Sequence, residues 1–151
     1  MKSKKYKHVF LSYCHDNFEE VKQLRDDLIA AGEFVWWDKD IRGGQDWETM
    51  IEQAMRESYA VIVCLSKETE VRDESGIYPE LSDAIEALRN FGPTKVFLIP
   101  VRLAECEIPL VKIDANRRLD SLQTIDLFPP ENRDAELGRL VDSLRNSTRH
   151  P

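Results

Sequence analysis

FVWWDKDIRGGQDW, residues 34–47, changes character twice in a short span. Phe34-Val35-Trp36-Trp37 is an apolar, aromatic run that reads as a short strand buried on both faces, and it turns polar at Asp38. Asp38, Lys39, Asp40 and Arg42 form a charged loop, closed by Gly43-Gly44, which reach backbone conformations that other residues avoid and so permit a tight turn. Helical periodicity follows at once. Asp46 is placed to cap the helix, and Trp47, Ile51, Ala54, Met55 and Ser58 recur at spacings of three and four. Strand, charged loop and helix in this order make the first half of a βαβ unit, with the loop at the carboxyl end of its strand. Open α/β sheets bind their ligands at that edge.

Reading outward, the same alternation continues. Val9–Tyr13 is a first strand, and Cys14-His15-Asp16-Asn17 is its polar exit. Val21, Leu24, Leu28 and Ala31 share one face of a helix that Gly32 is placed to end in a left-handed conformation. Tyr59–Leu65, YAVIVCL, is apolar throughout and β-branched at Val61, Ile62 and Val63, as a central parallel strand should be. The polar, aperiodic stretch Ser66–Ile77 reads as a loop; Pro79 suits the first turn of a helix whose buried face is Leu81, Ala84, Ile85 and Leu88. Gly92-Pro93 stops that helix, and Lys95–Val101 is a fourth strand. Arg102–Ser121, with Pro109 and scattered charge, carries no clear periodicity. Leu122–Leu127 reads as a fifth, edge strand, and Leu137, Leu140, Val141 and Leu144 as the face of a last helix. Five strands alternating with four or five helices give an α/β fold, an open parallel sheet covered on both faces. The flavodoxin-like order 2-1-3-4-5 is the simplest topology.

Composition narrows the function classes. A length of 151 residues fits a single domain over 1–151 with its core at about 7–146, and 42% hydrophobic with 32% charged residues are globular values. The longest apolar runs, Ala60–Leu65 and Val96–Val101, are far too short to span a bilayer, so no membrane is expected. Only Val9–Leu11 follows the basic start MKSKKYKH, which lacks a signal peptide's apolar region; a cytoplasmic home is expected. Cys14, Cys64 and Cys106 form no CxxC pair and have no histidine spaced to complete a zinc site, so reduced thiols and no metal are expected. A formal net charge of −7 argues against general affinity for nucleic acid, and the basic amino terminus reads as a solvated tail. No Gly-rich dinucleotide fingerprint and no P-loop are present. The third strand ends Leu65-Ser66-Lys67, without the aspartate of a phosphoacceptor receiver. Cys14 and His15 are adjacent, so on extended backbone they point to opposite faces and do not read as a nucleophile and its base.

What remains is the rim at the carboxyl ends of the first three strands: Ser12, Tyr13 and His15; Trp37 and Asp38; Ser66; and the helix start Ile77-Tyr78-Pro79-Glu80. Here Phe10-Leu11-Ser12-Tyr13, Trp37-Asp38, Gly43-Gly44, Trp47, Val63-Cys64-Leu65-Ser66, Glu80-Leu81 with Ala84, and Ile99-Pro100-Val101 resemble, in order and spacing, the successive motifs of a TIR (Toll/interleukin-1 receptor) domain of the bacterial type. The resemblance covers about Lys7 to Leu127. It implies a flavodoxin-like TIR fold with Asp38–Asp46 as the loop between the second strand and second helix. It also implies NAD+ as substrate rather than cofactor, since many such domains cleave it between nicotinamide and ribose with one glutamate on the third helix. Glu80 matches that glutamate. The implied substrate-binding set around it is Ser12, Tyr13, His15, Trp37, Asp38, Gly44, Trp47 and Tyr78, and the implied partners are other TIR domains.

Elementary electrostatics agrees with the role: the positive end of a helix dipole favours a first-turn carboxylate by about 0.3 to 1 kcal/mol. Such an anion can hold ribose hydroxyls and stabilise the oxocarbenium-like charge that develops as nicotinamide leaves. Acidic residues also occupy first turns merely to stabilise helices, and both readings of Glu80 stand. The chain departs from NAD-cleaving members at Gly76, where a tryptophan is common, with Tyr78 as a substitute aromatic. It departs again at Cys14-His15, where relatives carry basic residues, with His15 facing the pyrophosphate or simply solvent. Trp47 matches an aromatic that in relatives helps line the nicotinamide pocket, and it also starts its helix's apolar face. The functional readings are an NAD+ glycohydrolase or cyclase active on assembly in bacterial defence, a non-catalytic TIR interaction module, and a related nucleoside deoxyribosyltransferase, which the Gly43-Gly44 loop and Trp47 fit less well.

Overall fold

The computed structural model describes residues 7–40, 44, 46–69, 79–90, 97–113 and 117–149. Five strands, β1 (His8–Ser12), β2 (Val35–Trp36), β3 (Ser58–Leu65), β4 (Phe97–Arg102) and β5 (Ile125–Asp126), form one sheet. Its order is β2-β1-β3-β4-β5 and every pairing is parallel. The flavodoxin-like expectation holds. The helices α1 (Phe18–Ala30), α2 (Trp47–Arg56), α3 (Pro79–Asn90) and α4 (Arg133–Arg149) divide between the two faces.

Alternation along the strands sorts the core into two halves. Val9, Leu11, Tyr13, Ala60, Ile62 and Cys64 lie on one face with the apolar stripes of α1 (Val21, Leu24, Leu28) and α4 (Leu140, Val141, Leu144). Phe10, Val61, Val63 and Leu65 lie on the other with α2 (Ile51, Ala54, Met55) and α3 (Leu81, Ala84, Ile85). β3 is central and buried along almost its whole length. Local chemistry places the helix ends. Gly32, at φ +97°, closes α1 as its N–H bonds the Ile29 carbonyl while the Glu33 N–H reaches Leu28, and Pro79 opens α3. Asp46 precedes α2 with its carboxylate accepting a bond from the Thr49 hydroxyl rather than from a backbone N–H.

One expectation is corrected. The aromatic run is not a strand buried on both faces: only Val35 and Trp36 pair, both half-buried, and Phe34 is 70% exposed. β2 is the sheet's outer strand, with a ladder on one side only, and two residues suffice to dock it on β1. The stretch without clear periodicity holds no α-helix among its described residues. It is an irregular cover, with a bridge between Lys112 and Arg118 and a 3-10 turn at Leu119–Ser121, that buries Cys106, Ile113 and Leu119 against the α2/α3 half of the core. Most of Ser66–Ile77, the start of the fourth strand at Lys95-Val96, and Gly43 of the glycine pair lie outside the described residues.

Candidate functional site

At the carboxyl ends of β1 and β2 the chain must leave the sheet, and the groups that stop each strand assemble one carboxylate. Asp38 follows β2 directly. The Tyr13 hydroxyl donates to its Oδ1 at 2.5 Å, and His15 Nε2 bonds its Oδ2. A carboxylate only accepts, so this His15 nitrogen carries the proton. Tyr13 also meets His15 edge to face, at 5.5 Å between ring centres. The exit of β1 therefore fixes the first residue of the loop after β2, across 25 and 23 positions of sequence.

Below this group lies an open cleft of about 330 Å³, lined by Phe10, Leu11, Ser12, Tyr13, Trp36, Asp38, Ile51, Asp83 and Ala84. One wall is aromatic, with Phe10 and Trp36 stacked at 5.0 Å and 21° between planes. Ile51 of α2 and Ala84 of α3 close the apolar side, while Asp38 and Asp83 bring two carboxylates to the rim. Ser12, on the α2/α3 face two residues beyond Phe10, is 4% exposed, and its Oγ has no hydrogen-bond partner.

The expected site residues divide. Ser12, Tyr13 and Asp38 come together at the cleft. His15 is outside the lining and meets it through Asp38 and Tyr13, with half its side chain in solvent. Trp37 turns away: the residue after β2 points to the face opposite Trp36, is 7% exposed, stacks on Phe18 at 5.4 Å and lies beneath the Arg25 guanidinium. The better rim candidate of the pair is thus Trp36. Ser66 is likewise structural, since its hydroxyl donates to Asn17 Oδ1 at 2.6 Å while its N–H bonds Thr69 Oγ1 at 2.8 Å, all three residues being buried. Gly44 takes φ +85°, as the tight turn required, and is exposed, outside the cleft lining. Tyr78, like Arg42 and Gly76, lies outside the described residues, and Trp47 and Glu80 are defined by backbone position alone. Trp47 opens α2, and Glu80 sits in the first turn of α3. Position 80 is three and four residues before Asp83 and Ala84, so it shares their helix face, one turn nearer the amino end. Asp83, Trp36 and Ile51 were not among the expected residues. The i, i+3 spacing from Glu80 was the legible signal for Asp83.

Among the described residues no group of three or more His, Cys, Asp or Glu could hold a metal ion, and no helix is long and apolar enough to cross a membrane. The model of the TIR domain family matches residues 9–141. The chain belongs to the TIR domain family. A search of curated proteins finds no match. Solved TIR structures do resemble it. The TIR domain of the Toll-related receptor TRR-2 from Hydra magnipapillata shares 19% identity at a TM-score of 0.64, covering 91% of this chain and 97% of that one. A metazoan TIR-STING receptor from C. gigas, in complex with 2′,3′-cGAMP, shares 21% identity at a TM-score of 0.63, covering 93% of this chain and 41% of the other. The TIR domains of the activated Roq1 resistosome, which directly recognises the pathogen effector XopQ, share 22% identity at a TM-score of 0.51, with 63% and 56% covered. This TIR domain therefore spans about half or less of two of these chains. At such identities the likeness carries the fold.

Proposed function

We propose that this TIR domain is an NAD+ glycohydrolase or cyclase, cleaving the bond between nicotinamide and ribose with Glu80 as the catalytic carboxylate, and that it acts in the cytoplasm as an assembly-activated effector of bacterial defence. The observation that carries the reading is the shared face of α3: Glu80 stands one turn before Asp83 and Ala84, which line the cleft at the carboxyl ends of β1 and β2. A first-turn carboxylate there is favoured as an anion by the helix dipole. It can hold the ribose hydroxyls and offset the positive charge that grows on the ribose as the C–N bond breaks. Nicotinamide departs from a pyridinium as a neutral molecule, so no acid need protonate it. Water entering through the open cleft completes hydrolysis; a nucleophile within the substrate would give the cyclic product.

Tyr13 and His15 hold Asp38 in one orientation before any ligand arrives, which lowers the ordering cost of binding. The Roq1 structure is that of the TIR domains of an activated resistosome, which supports contact with other TIR domains as the partner of this chain. Incubating concentrated protein with NAD+ and resolving the products by chromatography tests the activity, with free nicotinamide and an ADP-ribose species expected. Absence of nicotinamide release from protein that self-associates would instead assign the non-catalytic interaction module, the reading favoured by Gly76 in place of the tryptophan.

A further inference from the structure

Two polar groups line the cleft without serving its architecture. The Ser12 hydroxyl, 4% exposed at the end of β1, has no hydrogen-bond partner, whereas Asn17, Ser66 and Thr69, also buried, are bonded to one another. Leaving a buried hydroxyl unpaired is costly, and alanine would fill the position without that cost. Asp83 is exposed on α3, and among the described residues its carboxylate meets no donor and no cation. The two line one open space because α3 packs on the sheet face to which Ser12 belongs.

The lining holds one other carboxylate, and it is engaged. Asp38 accepts from the Tyr13 hydroxyl at Oδ1 and from His15 at Oδ2, so both its oxygens are held by the protein. Asp83 is the carboxylate left to receive a proton. A base for water must reach solvent and stand within hydrogen-bond distance of the proton it takes, and an exposed side chain on the cleft wall meets the first condition. Ser12 supplies a second acceptor at a fixed place, since its strand is locked into the sheet. One water donating to Ser12 Oγ and to an Asp83 oxygen keeps both its lone pairs free for attack.

We infer that Ser12 and Asp83 hold the attacking water of the hydrolysis, with Asp83 as its general base, and that this pair sets how much of the product is linear. The inference rests on the proposed function and deepens it. As the C–N bond breaks, its electron pair goes to the nicotinamide nitrogen. A lone pair of the water forms the new C–O bond at the same ribose carbon, and the proton released passes to Asp83 and then to solvent. Glu80 acts on the ribose and serves every outcome, whereas Asp83 serves only attack by water. Where a nucleophile of the substrate takes the place of water, the cyclic product forms without this pair.

Competition between water and an added pyridine base tests the assignment. The whole chain is incubated with NAD+ and 3-acetylpyridine, and ADP-ribose and the exchanged dinucleotide are resolved by chromatography. A pyridine nitrogen has no proton to lose on attack, so exchange needs no base and hydrolysis does. Asp83→Asn should raise the ratio of exchange to hydrolysis by about a hundredfold, the lower range of what a general base contributes. Asp83→Glu, which keeps the carboxylate, should return the ratio towards that of the parent. Ser12→Ala should raise it by about three- to tenfold, the worth of one hydrogen bond, while melting no lower than the parent. An Asp83→Asn variant in which exchange and hydrolysis fall together, or in which the ratio is unchanged, overturns the inference and leaves the role of Glu80 standing. A Ser12→Ala variant that melts lower at an unchanged ratio overturns the part given to Ser12. A parent that releases no nicotinamide overturns the hydrolase and this inference with it.

Discussion

Single residues in this chain take their chemistry from what faces them. Asp126, at the end of β5, accepts Nε and an Nη of Arg102 at 2.7 and 2.8 Å, and that guanidinium holds its carboxyl below the usual aspartate value. The folded state therefore binds a proton on Asp126 less readily than the unfolded chain does. Its stabilisation is complete above the unfolded pKa of about 3.9 and is lost as pH falls through the lower folded value. Asp126→Asn should lower the urea midpoint at neutral pH, with the gap from the parent closing as pH falls below about 4. Cys64 has the opposite sign. Burial pushes its thiol up to about 12. Above about pH 8.5 the unfolded chain sheds a proton that the native state keeps, so this site withdraws stability as pH rises. Iodoacetamide at pH 8 should label half-buried Cys14 ahead of Cys64 and Cys106, as read by mass spectrometry, and should reach all three only in denaturant. For Glu80, Glu80→Ala should abolish nicotinamide release while costing no more than about 1 kcal/mol of stability, because a first-turn carboxylate contributes only its interaction with the helix dipole. Retained turnover in that variant would remove the catalytic assignment.

The elements that read most plainly in the sequence are those whose burial is symmetrical. β3 is apolar at every position from Ala60 to Leu65 because α1 and α4 cover one face and α2 and α3 the other. Ile62→Ala should cost about 2 to 5 kcal/mol through lost transfer energy and a residual cavity, and an unchanged thermal midpoint would contradict that packing. The outer strands read less well. An apolar, aromatic sequence such as Phe34–Trp37 is compatible with a long strand, and only its position at the sheet edge limits β2 to two residues and leaves Phe34 in solvent. The exits of β1 and β3 are tied by Asn17, Ser66 and Thr69. Asn17→Ala, which removes the buried bond from the Ser66 hydroxyl, should lower stability by about 1 to 3 kcal/mol in chemical denaturation while leaving Asp38 and its partners in place.

At the scale of the molecule, the cleft is open and shallow, and its neighbouring loop from Asp38 to Asp46 carries both signs of charge. If contact between copies completes the site, a dilute monomer populates the competent state only fractionally and its apparent affinity falls by that fraction. Specific activity per mole should then rise with protein concentration, and Arg42→Glu should weaken the rise without altering Glu80. Constant specific activity over a hundredfold dilution, across which light scattering records oligomer becoming monomer, would mean that one chain holds the complete site.

The order of strands and helices, the parallel sheet, the left-handed Gly32 and the helix opening at Pro79 were all determined by the sequence alone, because periodicity and backbone restriction act over a few residues. So was the set Ser12, Tyr13 and Asp38, since strand ends of a parallel sheet must share one edge. The tertiary structure decided which of two adjacent tryptophans faces the cleft, that Asp83 lines it, that Ser66 is consumed by a bond to a residue 49 positions away, and that Ser12 is left without one. Those outcomes depend on how α2 and α3 seat on the sheet. Long-range packing sets that arrangement, and no local pattern encodes it.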